Sequence, residues 1–337
     1  PNSSEEQKKF TKKYKYILLS ESGTDTSYSF VNAATGAKVT HSNDASDVFT
    51  VSGNITVFEN VNPAGKTGTV IEPVTEGYTL TLSGSSMLTN APSDTASVSN
   101  NVCTITKPGV FAITGENIDG QIVVDVDKTA YPDGVVELDL MGMSLTNSNT
   151  APIYVVSIGD EVQIVAKSGT DNTISDGSSH TQTYTDSDGN VNTVEGAIFA
   201  RDDIKFKGTG NLTVNGNTDD AIISKNDIKI YNGNITVNAV DDGIRGKDSV
   251  IIGNANSADY SSLNLTVKTN GGDGIKSTAT DTSTDTKSYG LVEINGGTID
   301  INSYADGIQA EQDFVMNGGD LTVYTYQGSA FTSSGSS

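Results

Sequence analysis

The segment "NAVDDGIRGKDSV", residues 238–250, sets two adjacent carboxylates before a glycine and follows them with an arginine, a lysine and a third aspartate. The phrase recurs as "NTDDAIISKNDI" upstream and as "GGDGIKS" and "YADGIQAEQDFV" downstream. Its acids are Asp219, Asp220, Asp241, Asp242, Asp273 and Asp306; the bases behind them are Lys225, Arg245, Lys247 and Lys276, with Arg201 in the matching place after "EGAIFA". Repeated carboxylates of this kind are donors for a hard cation such as calcium, which takes about six to eight oxygen ligands from carboxylates and carbonyls. No His or Cys cluster favours zinc, because His41 and His180 stand apart from the repeat and read as plain loop residues. Cys103 alternates with apolar neighbours in "NVCTITKPGVFAI" and reads as a buried strand residue.

Simpler chemistry accounts for a single copy of the phrase. Asp tolerates unusual backbone angles and Gly supplies positive φ, so Asp-Gly makes a turn with no ligand in view. The bases have a plain explanation too, as exposed ion pairs that neutralise the acids and contribute little each. The alternative is a groove where a cation and Lys or Arg together grip uronate carboxylates.

What separates these readings is the element that carries the phrase. Ala197, Ala221, Gly243, Gly274, Gly307 and Ala330 each open a short apolar step, at intervals of 24, 22, 31, 33 and 23 residues. The long intervals contain insertions, "NANSADYSS" at 254–262 and "TATDTSTDTKS" at 278–288, and without them the period returns to about 22–24. Each period runs strand, Gly or Asn turn, strand, acidic corner, as in "DIKFKGTGNLTVNGNTDD" and "DIKIYNGNITVNAVDD". Such a repeat predicts an all-β parallel β-helix, in which equivalent positions recur one strand spacing of about 4.8 Å apart. Asp220, Asp242, Asp273 and Asp306 then form a ladder, with Asp219 and Asp241 one residue earlier. Neighbouring charges near 5 Å repel by about 1 kcal/mol in water and several times that at lower dielectric, so a counter-cation is expected.

Composition bounds the partners. With 42 acids against 20 bases and a formal net charge of −22, nucleic acid is excluded as a natural partner. No apolar run is long enough to span a bilayer, and "KYKYILLS" is too short for a signal-peptide core, so any export signal is expected to have been removed. One cysteine allows no internal disulfide, which leaves ions or stacking to stiffen the chain.

The ordered motifs "DGQIVVDV", "LDLMGMSLTNSNTAPIYV", "GTDNTISDGSS", "NTDDAIISKNDIKI", "VDDGIRGKDSV", "GGDGIKS" and "ADGIQAE" resemble the bacterial extracellular carbohydrate-binding β-helix family related to family 9 polysaccharide lyases, over about residues 98–330. The resemblance implies a right-handed parallel β-helix, calcium, and a plant-type polysaccharide, pectic or cellulosic. Residues 98–337 are then the carbohydrate-binding β-helix, 76–97 a linker or entry strand, and 1–75 a small N-terminal β element of unknown role, outside the family pattern.

The leading expectation is a secreted, cell-surface protein with calcium at Asp219, Asp220, Asp241, Asp242, Asp273 and Asp306 that binds acidic plant polysaccharide through Arg201, Lys225, Arg245, Lys247 and Lys276 without cleaving it. The enzyme alternative is a pectate-lyase-like β-eliminase. That reaction needs a cation to acidify the proton beside a carboxylate and a base of lowered pKa, and the resemblance implies a lysine base, for which Lys225, Lys247 and Lys276 are candidates. The structural alternative is a surface fibre, in which the basic, strand-like "KYKYILLS" adds to an exposed coil of another copy. Tyr260 and Tyr289, in or beside insertions, are candidate stacking rings, and Tyr324 and Tyr326 read as strand-face residues.

Overall fold

In the computed structural model, residues 77–186, 188–280 and 289–326 are described throughout, together with the backbone of six strands between residues 16 and 75. The chain divides into two compact units, Pro1–Gly77 and Tyr78–Ser337. In the first, strands Tyr16–Ser22, Ser27–Asn32, Lys38–His41 and Phe49–Ser52 form an antiparallel meander. Thr56–Val57 and Val74–Thr75 pair separately, also antiparallel.

The second unit is a parallel β-helix of three faces. Face A is built from three-residue strands, Ile198–Ala200, Ile222–Ser224, Ile244–Gly246, Ile275–Ser277 and Ile308–Ala310, stacked on the earlier strands Gln121–Asp125 and Ile153–Ser157. Face B follows with Glu161–Ala166, Asp203–Gly208, Asp227–Ile230, Ser249–Ile252, Leu291–Ile294 and Asp313–Met316. Face C closes each coil with Asp171–Asp176, Asn211–Gly216, Gly233–Ala239, Leu263–Thr269, Thr298–Ser303 and Asp320–Thr325. Faces B and C belong to one sheet because the 13-residue strand Val135–Asn147 bends through both. At the start, Tyr78–Gly84 lies parallel to Gly109–Asn117 and turns back antiparallel into Ser86–Thr89.

The core is a stack of identical columns. Ile153, Ile198, Ile222, Ile244 and Ile275 sit in register and are fully buried. Ile164, Phe206, Ile230, Ile252 and Ile294 form an equivalent buried column under face B, and Ile174, Val214, Val237, Val267 and Ile301 another under face C. β-Branched side chains suit this arrangement, since alternation sends every second residue inward and parallel register places like on like. Cys103 is part of this interior, and burial pushes its thiol up to about 12.

The described insertions occupy corners, where extra residues do not disturb the register. Residues 254–262 lie between faces B and C, while of 278–288 only the first three, just after face A, belong to the described residues. Residues 178–195, between C and A, carry an antiparallel hairpin, Thr183–Thr185 with Val191–Thr193. Tyr260 does not offer a stacking platform: its ring closes over Gly253 and Gly296, and its hydroxyl donates to the Asn254 carbonyl at 2.9 Å.

Candidate functional site: an acidic corner and a basic cleft

The corner from face C to face A is where the aspartates stand. A Cβ on Gly243 would lie 2.4 Å from Val267 Cγ1 and 2.5 Å from the Gly274 carbonyl, and one on Gly274 2.4 Å from Ile301 Cγ2. Neither glycine has positive φ. The residue after the aspartate is therefore small for want of space, and Ala197 and Ala221, both fully buried, stand at the equivalent position of the earlier coils.

Within this corner the coils are tied by the acids. Asp220 Oδ1 accepts the Asp242 backbone N–H at 2.9 Å, Asp242 Oδ1 accepts that of Asp273 at 2.8 Å, and Asp273 Oδ1 that of Asp306 at 2.9 Å. Asp220, Asp242 and Asp273 are buried and Asp306 is half-buried. Each carboxylate thus spends one oxygen on the next coil's backbone and presents the other to whatever cation is near.

For the later coils that cation is internal. Arg245 and Lys276 are direct cross-strand neighbours on face A. Lys276 Nζ lies 2.8 Å from Asp273 Oδ2 and 3.3 Å from Asp242 Oδ2. Burial works against its charge, but the hydrogen bond to Asp273 and the Asp242 carboxylate hold its pKa above the usual lysine value. Arg245 reaches Glu195 with Nη2 at 3.0 Å and Asp220 Oδ2 with Nε at 2.6 Å. This last contact is one of charge only, since neither Nε nor Oδ2 completes a hydrogen bond and both are buried.

The earlier end of the ladder is under-neutralised. Carboxylate oxygens of Asp219, Asp220 and Asp241 lie within 4.8 Å of one another. Burial pushes Asp220 up to about 7; Arg245 opposes this, while Asp242 and Asp219 add to it. Burial likewise raises Asp219, with Glu195 and Asp241 contributing, and raises Asp241, with Asp242 contributing. Three close carboxylates held above their ordinary pKa are a donor set that fits a hard divalent cation, whose charge would favour the ionised form of each. Asp242 and Asp273 have their free oxygens engaged by Lys276, and Asp306 lies one coil further on; among Asp219, Asp220 and Asp241 a cation would share Asp220 with the Arg245 guanidinium.

Arg201, Lys225 and Lys247 form a separate column just after the face A strands. Their backbone N–H groups donate to Val155, Ala200 and Ser224 carbonyls, each at 2.9 Å, so the three occupy one position of successive coils. Among the described residues, no ion pair engages any of them. They line a cleft of about 360 Å³, whose other wall is Tyr184, Asp186, Asp188 and Asn192 from the hairpin. Burial lowers the pKa of Lys225, and the neighbouring Arg245 lowers it further.

The hairpin is fixed by apolar contact. Ala151, Tyr154, Val194, Phe199 and Ile223 form a second buried cluster on the outside of face A, with Tyr184 packed against it. The Tyr184 ring stands 5.2 Å from that of Phe199, and the Arg201 guanidinium lies 5.2 Å over Tyr184. Lys225 Nζ lies 5.5 Å over the Phe199 ring. His180, read from sequence as a plain loop residue, is instead packed under this loop: its side chain is 3% exposed and Nε2 lies 2.8 Å from Asp176 Oδ2. The wall residues of the hairpin escaped the sequence reading, although "TYTDSDGNVNT" carries a D-G turn between alternating segments, which is a hairpin signal.

A family described as carbohydrate-binding domain-containing protein matches residues 99–337. A protein of that description from Acetivibrio thermocellus is 42% identical over 146 residues, 43% of this chain and 48% of that protein. The chain thus spans about half the length of the curated relative it matches. A solved structure described as the polysaccharide lyase-like protein from C. thermocellum, a gadolinium derivative, is 33% identical with a TM-score of 0.58, covering 73% of this chain and 93% of that one.

Proposed function

The chain belongs to the family of carbohydrate-binding domain-containing proteins, and from that premise we propose that it is a secreted or cell-surface protein that binds acidic plant-type polysaccharide, pectin or polygalacturonate, without cleaving it. Cellulose is the second polymer to test. The observation that carries this reading is the column Arg201, Lys225 and Lys247, three cations without an ion-pair partner among the described residues, on a chain of net charge −22. Cations left unpaired on an acidic protein suit an anionic ligand, and carboxylates are gripped by Arg and Lys through charge-assisted hydrogen bonds.

Calcium at Asp219, Asp220 and Asp241 is the second part of the proposal, supported by their mutual distance and raised pKa values. When bound it would supply charge neutralisation at the corner and hold two coils together. Electrophoresis through gels containing polygalacturonate tests the polymer, with retardation expected. Unchanged mobility in both polygalacturonate gels and cellulose pull-downs would remove the reading.

One observation favours a second reading, a pectate-lyase-like eliminase. Lys225 sits in the cleft with its pKa lowered by burial and by Arg245, as a base for proton abstraction requires, whereas Lys276 is held protonated by Asp273 and Asp242. Ultraviolet absorbance of unsaturated uronates discriminates directly. A flat trace from about pH 7 to 10 with calcium present would reject catalysis.

A further inference from the structure

We infer that the cleft between the hairpin and face A is a subsite for a short acidic sugar that works without calcium, taking the carboxylate on Lys225, Lys247 and Arg201 and the hydroxyls on the hairpin wall. This deepens the polysaccharide-binding reading and rests on it. The cation groups of face A are divided between two tasks. Arg245 and Lys276 are committed to the aspartate ladder, at 2.6 and 2.8 Å from their nearest carboxylate oxygens. Arg201, Lys225 and Lys247 have no such partner among the described residues and face a cleft. Their side chains line the cleft and not the corner, and none of the three clustered carboxylates lines it; the corner acts on Lys225 only at longer range, through Arg245, Glu195 and Asp220.

The opposite wall gives the ligand class. A site for a bare anion would present donors alone, yet here Asp188, Asp186 and Asn192 stand across from the cations. Asp186 is fully engaged, accepting the N–H groups of Asp188 and Asn190 at 3.0 and 2.8 Å and the side-chain amides of Asn190 and Asn192 at 3.2 and 3.0 Å, which makes it the brace of the turn. Asp188 and the Asn192 carbonyl oxygen then offer acceptors to a ligand that carries both a carboxylate and hydroxyls, as a uronic acid does. The volume, about 360 Å³, matches a small-ligand pocket and suits one or two sugar rings. Tyr184 supplies an apolar edge and orients Arg201 beneath its ring.

Isothermal titration of the full chain with tri-galacturonate, in calcium and in a chelator, tests this. Affinities in the two conditions should agree within about threefold, while Lys247→Ala and Lys225→Ala each weaken binding by roughly tenfold, the loss expected for one charge-assisted contact. Propane-1,2,3-tricarboxylate, with equal charge and no hydroxyl, should bind more weakly than the trisaccharide, and Asp188→Ala should erase that preference. Sugar binding that disappears in chelator and returns with calcium would overturn the inference while leaving the polysaccharide reading intact. Equal binding of the two tricarboxylates by the native chain would overturn the sugar assignment. Binding of neither ligand in either condition would remove both readings together.

Discussion

Two ladders of charge climb this solenoid with the same period, and they end in opposite states. On face B, Glu137, Asp139, Glu161 and Asp203 each meet one of Lys207, Lys167, Lys205 and Lys229, and Asp227 beside Asp203 accepts the Ser249 hydroxyl. Lys207 lies 3.0 Å from Glu137, Lys167 2.7 Å from Asp139 and Lys229 3.0 Å from Asp203, with Lys205 in contact with Glu161. At the corner before face A, Glu195, Asp219, Asp220, Asp241, Asp242 and Asp273 share Arg245 and Lys276. A parallel helix repeats any outward residue one strand spacing later, so it builds like-charge columns by construction. Where the sequence interleaves the opposite sign, the column is a self-contained surface; where it does not, charge is left over for something outside the chain.

Calcium binding should break the comparison most sharply. Replacing Asp219 and Asp241 together by Asn is expected to lower calcium affinity on the order of a hundredfold, because such sites follow ligand charge count, while Glu137→Gln and Asp203→Asn on face B leave it unchanged. Calorimetry after chelation reads both, and equal losses from the two ladders would mean that no local site exists.

Next in size is stability. Asp242→Ala removes the acceptor of the Asp273 N–H and one of the two partners of Lys276. Its cost should be roughly 2–3 kcal/mol even after relief of repulsion. Lys207→Ala, which deletes a partly exposed pair, should cost about 1 kcal/mol or less. Denaturant midpoints measured at constant slope test the difference.

The smallest effect is pH dependence. In chelator, Asp220 keeps its proton in the folded chain up to about 7, against an ordinary carboxylate value of 3.8. The folded state therefore binds the extra proton between these values, so this group's stabilisation is full below about pH 4 and is lost as pH rises through about 7. Asp139 on face B, raised to about 6 chiefly by burial, contributes with the same sign. Melting temperature in chelator should fall by a few degrees over this window, less so in Asp220→Asn and in Asp139→Asn. Calcium added above pH 7 should restore the corner's share and not that of face B.

Much of this was legible from residues. The spacing of Ile198, Ile222, Ile244 and Ile275 sets the coil, and the same count places Asp220, Asp242, Asp273 and Asp306 in one column, as found. Composition alone did not tell which acids are already satisfied. Arg245 and Lys276 lie two residues after Gly243 and Gly274, and Lys225 and Lys247 four after Ala221 and Gly243, two registers whose roles spacing alone did not assign. Side-chain direction separates them: the first two turn back onto the carboxylates, and the other two turn toward the hairpin. His180 and the hairpin wall of Tyr184, Asp186, Asp188 and Asn192 were missed because they lie in an insertion, where no repeat carries information about place.

Sequence by itself determined the period, the parallel stacking and the existence of an acidic column, because each depends on spacing along the chain and on the fixed reach of a strand. Tertiary structure alone decided which cations were spent and which remained free. It also decided where a non-repeating loop came to rest, held by Tyr184 against Phe199, since pairing and docking depend on distances across coils that no local pattern encodes.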